Sequence, residues 1–280
     1  SVAEAQLMET SLANIINHQT LIATKAARVM EAAGDTEVME FGLRRAQGPD
    51  AGLYGSRAAF IGGCHSTSNV LAGQLYGIPV KGTHAHSWVM SFPDELTAFQ
   101  AYADAYPNAC LLLVDTYDTL RSGVPNAIRV AKELEARGGK FLGIRLDSGD
   151  LAYLSKVSRK MLDEAGLEHA TIVASGNLDE DTIRDLRTQG AKIDSWGVGT
   201  KLITGDNNPA LGGVYKLAAL EENGHLIPKI KVSENAEKTT NPGIKETVRF
   251  YSRENGKALA DLLVLEDEQI PAHRRESAHP

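Results

Sequence analysis

Leu7, Leu12, Ile15, Ile16, Ile22, Ala26 and Val29 recur at helical spacing, so one long helix is predicted over about residues 3–32, closing at Gly34. Val38–Leu43 then reads as a short strand and residues 56–75 as a second helix. From there a repeating unit takes over. Four apolar runs, Ala109–Val114, Phe141–Ile144, Ala170–Ala174 and Ile193–Val198, lead in turn into Asp115, Arg145 with Asp147, Ser175-Gly176, and Gly199. Helical patterns at about 124–137, 150–166 and 179–189 lie between them. Near-continuous apolar strands indicate a parallel sheet buried on both faces. Polar residues that always follow the strand favour a barrel over an open sheet. A further strand is placed within Gly82–Met90, because Pro79 interrupts the run Ile78-Pro79-Val80 just before it.

After about residue 212 the texture changes. Val214–Leu217 and Pro228–Val232 flank Glu222-Asn223-Gly224, a hairpin signal, and Thr247–Tyr251 and Leu262–Leu265 add strands with Asn255-Gly256 as another turn. The predicted organisation is therefore a long helix and an α/β barrel over 1–212, followed by a small antiparallel sheet over 213–280.

Composition narrows the partners. The 280 residues carry 29 basic and 36 acidic side chains, a net charge of −7, so no global basic field draws the chain to nucleic acid or an anionic membrane. An anionic substrate needs a local basic site instead. Cys64 and Cys110 have neither disulfide-framework nor zinc spacing, which fits a reduced, cytoplasmic compartment. No stretch approaches the roughly 20 apolar residues of a membrane span. The first 30 residues, helical and carrying Glu4, Glu9 and His18, do not read as a signal peptide. The chain starts inside an amphipathic pattern and stops at Arg275–Pro280 without a closing element, so a longer protein is expected.

Candidate chemistry gathers at the strand ends. Asp115-Thr116-Tyr117-Asp118-Thr119 and Asp147-Ser148-Gly149-Asp150 put carboxylates where burial is costly unless they are paired or coordinating. Capping of the next helix by Asp147, Ser148 or Asp150 is the plain alternative. Their recurrence on consecutive strands beside Arg145 points to a Mg²⁺–phosphate site. Ser175-Gly176-Asn177 and Gly197-Val198-Gly199-Thr200 are either tight βα turns or two halves of a phosphate cup, whose backbone amides face an anion. His84-x-His86 shares one face if it lies on a strand. A zinc-binding amidohydrolase barrel would need more histidines at later strand ends, and His169 precedes its strand, so zinc is not expected. A histidine hydrogen-bonded in a polar layer remains the plain alternative for this pair. Glu40-Phe41-Gly42-Leu43-Arg44-Arg45 offers rigid bidentate donors for a carboxylate or phosphate beside a flat aromatic ring.

Taken together, these segments resemble the nicotinate phosphoribosyltransferase family. The resemblance rests on Glu40–Gly48, Thr67-Ser68-Asn69, Gly82–Ser87, Asp115–Thr119, Ile144–Gly149 and Gly197–Thr200, in order, and then on Lys231–Glu234, Lys238 and Pro242-Gly243. Val114-Asp115-Thr116 alone is also similar to the pyrophosphate-sugar motif of the other main phosphoribosyltransferase class, but the paired acids and Thr-Gly turn of that motif are absent. The family resemblance implies an irregular parallel α/β barrel of the type II phosphoribosyltransferase kind, with part of a smaller α/β domain, in a homodimer whose sites lie at the interface. It implies transfer of a phosphoribosyl group from phosphoribosyl pyrophosphate to nicotinate in NAD salvage, with ATP as a further substrate and Mg²⁺ as cofactor.

By motif position, His86 is the histidine that ATP phosphorylates, and Asp115 and Asp147 face the ribose, Mg²⁺ and pyrophosphate. The same resemblance implies that Arg44 and Arg145 hold nicotinate and neighbouring phosphates, with Phe41 as a flat substrate-binding surface nearby, and that Ser175, Gly176, Gly199 and Thr200 cup the 5-phosphate. Ser68 stands near the place where nicotinamide-using relatives carry an acid, and a neutral hydroxyl suits a carboxylate ligand. Family members carry a further N-terminal part that supplies an aromatic residue to the neighbouring subunit's site. It is expected either in the same gene or as a separate N-terminal polypeptide. A nicotinamide or quinolinate enzyme on the same barrel, and an inactive fragment that only binds ligand, are the alternatives.

Overall fold

A capping box starts the first helix, with the Ser1 hydroxyl accepting from the Glu4 amide while the Glu4 carboxylate accepts from the Ser1 backbone nitrogen. Helix α1 (Val2–Ala33) follows, in a computed structural model that describes residues 1–234 and 239–269. The expected Lys238 and the Arg275–Pro280 end lie outside the described residues. The chain divides into two units, Ser1–Gly213 and Val214–Pro280.

The first unit is built on six parallel strands: β1 (Glu37–Glu40), β2 (Ser66–Thr67), β3 (Cys110–Leu113), β4 (Phe141–Leu146), β5 (Thr171–Ala174) and β6 (Ser195–Val198). They are ordered β2-β1-β6-β5-β4-β3, and every pairing is parallel. Leu112, Leu113, Ile144, Leu146, Ile172, Trp196 and Val198 are buried, as a sheet covered on both faces requires. The helices are α2 (Pro49–Ile61), α3 (Val70–Tyr76), α4 (His86–Met90), α5 (Glu95–Ala105), α6 (Val124–Ala136), α7 (Leu151–Glu164), α8 (Glu180–Thr188) and α9 (Thr200–Ile203). One apolar cluster joins α5, α6 and α7 to β3 and β4 through Phe99, Leu134, Phe141 and Leu162. A second packs Ile22, Ala26 and Val29 of α1 against Val38, Ile183 and Trp196. Among the described residues no helix is long and apolar enough to cross a membrane.

Two expectations fail in ways that matter. The helix expected over 56–75 is broken: α2 stops at Ile61, Gly63 takes φ +108, and the chain passes through β2 before α3 begins. The strand expected within Gly82–Met90 is a strap that runs into α4. Pro79 lacks an amide to donate, and only one bridge, Val80 with Thr67, ties the strap to β2. A few residues on, at the other edge of the sheet, the Leu113 amide donates to His84 Nε2 at 3.1 Å. Four residues reach at most about 14 Å, so the two edge strands must curve toward each other. An imidazole therefore takes the place of a strand's backbone acceptor, and the sheet becomes an irregular barrel.

In the second unit, β7 (Ala219–Glu222) and β8 (His225–Pro228) form a hairpin, and β9 (Lys245–Tyr251) pairs with β10 (Ala258–Leu265). These are two separate two-stranded sheets, not the one small sheet expected. Asn223 and Gly224 both take positive φ, as a tight two-residue turn demands. That turn pairs the residues nearest it, so Val214–Leu217 and the Lys229–Val232 part of the other expected strand stay outside the ladder.

Candidate active site

A cleft of about 470 Å³ opens over the C-terminal ends of the strands in the first unit. Phe41, Arg44, Ser68, His86, Arg145, Asp147, Ser175, Gly176, Gly199 and Thr200 all line it, with Arg45, Thr83 and Asn177. Asp115 does not line it directly; its side chain is only 3% exposed and lies behind the cleft wall.

Arg145, on β4, organises this cleft. Its Nε donates to Ser175 Oγ at 2.6 Å, one terminal nitrogen to Thr83 Oγ1 at 2.7 Å, and the other to Asp147 Oδ1 at 2.8 Å. The guanidinium carbon sits 5.5 Å from the centroid of the Phe41 ring. Gly197 makes room for that ring, since a Cβ there would lie 2.6 Å from two of its carbons. One side chain thus joins β4, the turn after β5, the strap and the aromatic floor, in a fork geometry that lysine cannot copy.

The capping alternative for the carboxylates is settled by the hydrogen bonds. Asp150 caps α7 through the Tyr153 amide, and Asp118 caps the turn at Thr119–Gly123. Asp115 and Asp147 are left for other work. Asp115 Oδ2 accepts from the Asp147 amide at 3.0 Å and the Ser148 hydroxyl at 2.5 Å, while its buried Oδ1 has no hydrogen-bond partner. Burial alone would raise the Asp147 carboxyl, but the Ser175 hydroxyl, the Arg145 guanidinium and His86 bring it below its ordinary value.

His84 and His86 do not share a face. His86 is the first residue of α4 and is 39% exposed; its Nδ1 is 3.1 Å from Thr116 Oγ1. Its Nε2 lies 3.9 Å from Asp115 Oδ1 and 3.8 Å from Asp147 Oδ2. His84 is buried against Tyr102, ring centroids 4.7 Å apart. Because its Nε2 accepts the Leu113 amide, the ring is the neutral Nδ1–H tautomer, facing Ala85 O at 3.4 Å. Burial lowers its pKa to about 4. The unfolded chain therefore takes up a proton below pH 6.5 that the folded ring refuses until about pH 4. Stability should be full above pH 6.5 and fall by about 3 kcal/mol as pH drops through that window. Urea unfolding of wild type and His84→Gln across pH 4–7.5 measures this; equal slopes for the two proteins would refute it.

The cysteines stay out of the chemistry. Burial, with the Glu40 carboxylate nearby, pushes the Cys64 thiol up to about 12, far from a reactive thiolate. Thr83 and Thr116 bear on the site with no role legible in the sequence, and Ser148 and Asn177 bear on it beyond the capping and turn roles their positions suggested. Each lies within or beside a motif, but its role depends on a partner at least 30 residues away or on cleft shape. Both Arg44 and Arg45 reach the cleft from a single 3₁₀ turn after β1, Leu43–Arg45. Among the described residues no group of three or more His, Cys, Asp or Glu side chains is arranged to hold a metal.

Residues 36–264 match the nicotinate phosphoribosyltransferase family. The chain is 57% identical over 274 residues to a Bacillus subtilis nicotinate phosphoribosyltransferase, covering 98% of this chain and 56% of that protein. Against the human nicotinate phosphoribosyltransferase it is 38% identical, over 95% of this chain and 59% of the relative. The chain thus spans little more than half the length of these relatives. The crystal structure of human nicotinic acid phosphoribosyltransferase superposes with a TM-score of 0.79 at 36% identity, covering 95% of this chain and 59% of that one. That of the Pyrococcus furiosus nicotinate-nucleotide pyrophosphorylase gives 0.71 at 25% identity, over 94% and 62%.

Proposed function

The chain belongs to the nicotinate phosphoribosyltransferase family, and from that premise we propose that its cleft joins nicotinate to phosphoribosyl pyrophosphate. The products are nicotinate mononucleotide and pyrophosphate, a step of NAD salvage. The pyridine nitrogen bonds to ribose C1 as the bond from C1 to the pyrophosphate oxygen breaks. The observation that carries this reading is Arg145, which links the aromatic floor at Phe41, the Ser175 turn and Asp147 in one cleft.

Each part of the cleft meets one demand of that reaction. Phe41 gives the pyridine ring a flat apolar support, and Arg44 and Arg45, which line the same cleft as Ser68, bring donors for a ring carboxylate. Ser175, Gly176, Gly199 and Thr200 give the 5-phosphate small side chains and backbone amides. Bond breaking at C1 leaves positive charge on the ribose, which the carboxylate of Asp147, oriented by Arg145, stabilises, with Asp115 behind it held by the Asp147 amide and the Ser148 hydroxyl. Mg²⁺ fits this arrangement, because the buried Asp115 Oδ1 lacks a partner and Mg²⁺ takes one or two carboxylates plus substrate phosphates. When bound, the ion supplies charge neutralisation of the leaving pyrophosphate.

In the same reading, ATP phosphorylates His86, the exposed imidazole at the cleft, and hydrolysis of that phosphate drives the transfer toward product. Nicotinate mononucleotide formation, measured with nicotinate and nicotinamide in competition in the intact protein, tests the substrate. Preference for nicotinate is expected, because Ser68 presents no negative charge to a ring carboxylate. Preference for the amide would overturn the reading.

A further inference from the structure

Glu40 is fully buried at the end of β1, yet among the described residues no lysine, arginine or histidine forms an ion pair with it. A buried carboxylate without a counter-cation persists only where donors converge on it. Here three do. Oε1 accepts the Gly42 amide, while Oε2 accepts the Thr67 hydroxyl at 2.6 Å and the Ser56 hydroxyl at 2.9 Å. The two oxygens serve different parts of the cleft. Oε1 fixes the turn that carries Arg44 and Arg45; Oε2 fixes the residue directly before Ser68. The Glu40 carbonyl also accepts the Ser68 amide at 2.9 Å, and Thr67 Oγ1 accepts the Asn69 amide at 3.0 Å.

We propose that Glu40 is a positioning residue that sets the spacing between the arginine turn and Ser68, and thereby the preference for a ring carboxylate over a ring amide. The inference rests on the nicotinate reading of the cleft. Its physical content is that two recognition elements are tied through one side chain in addition to the short ladder, whose last bond runs from the Ser68 amide to the Glu40 carbonyl. β2, only two residues long, gives little ladder of its own. A carboxylate ligand needs its donors at fixed distance and angle, whereas the Ser175-Gly176 half of the phosphate cup follows β5, which pairs with β4 and β6 and not with β1.

Two variants separate positioning from folding. Glu40→Gln keeps the shape but replaces the charged acceptor, and the hydroxyls of Thr67 and Ser56 can rotate to accept from the new amide. Thr67→Val cuts only the link to the Ser68 loop. In the intact protein, each should raise KM for nicotinate about tenfold, the worth of one hydrogen bond to a charged group. KM for phosphoribosyl pyrophosphate should stay within about twofold, and the preference for nicotinate over nicotinamide should narrow by about the same factor as the nicotinate KM rises. Equal loss for both substrates, or an unchanged preference in either variant, overturns the role of Glu40. Wild-type protein that shows no preference for nicotinate would instead overturn the parent reading, and this one with it.

Discussion

Replacing Arg145 with methionine should lower kcat/KM for nicotinate mononucleotide formation by roughly thirty- to several-thousand-fold while leaving the fold in place. The range follows from the 2–5 kcal/mol typically lost when one partner of a buried, hydrogen-bonded charge pair is removed. Three things fail together. Asp147 loses the guanidinium that helps keep its carboxyl below its ordinary value, so its burial acts with less opposition. Ser175 and Thr83 lose their donor, which frees the turn after β5 and the strap to move independently. The Phe41 ring loses the cation above it. Arg145→Lys should recover only part of the activity, because a single ammonium cannot serve three acceptors in a plane. Steady-state kinetics with both substrates, alongside thermal unfolding, decide the matter. Loss below about threefold in the methionine variant with unchanged Tm would remove Arg145 from the centre of the site.

That site was largely readable from sequence because barrel physics makes it so. Strands β3 to β6 are buried on both faces, so Cys110–Leu113 or Thr171–Ala174 shows as an apolar run that stops where chemistry begins. What escaped was anything held by a distant side chain. β2 is two polar residues, Ser66 and Thr67, buried because Thr67 serves Glu40, and no periodicity marks it. The strap at 79–85 resembles a barrel strand in its place along the chain, but its anchor on β3 is the His84 ring, which no strand pattern encodes. Capping and catalysis could not be told apart for Asp147, Ser148 and Asp150, since all three stand at one strand-to-helix turn. Only the geometry shows that Asp150 takes the cap. In the second unit the apolar positions were visible, but the Asn223-Gly224 turn, not hydrophobicity, fixed which of them pair.

His86→Ala should abolish incorporation of phosphate from ATP labelled at the γ position, down to background, and with it any stimulation of phosphoribosyl transfer by ATP. The ring is positioned for this role from two sides. Carboxylate oxygens of Asp115 and Asp147 stand 3.9 and 3.8 Å from Nε2, where their charge repels an incoming phosphoryl group. Nδ1, 3.1 Å from the Thr116 hydroxyl, is the ring nitrogen away from those anions and would be the nucleophile of the proposed step. In the proposed step it would form a bond to the γ-phosphorus as the bond to the ADP oxygen breaks. The neighbouring carboxylates are the competing acceptors, and their chemistry tells them apart. A phosphohistidine is labile to acid but stable to alkali, whereas an acyl phosphate on Asp115 or Asp147 is labile to both. Label that survives in His86→Ala, or that leaves wild type in alkali, would move the phosphoryl group to a carboxylate. Loss of label in His86→Ala with acid lability and alkali stability in wild type fits one nucleophile held between two anions that it must not meet with its free nitrogen.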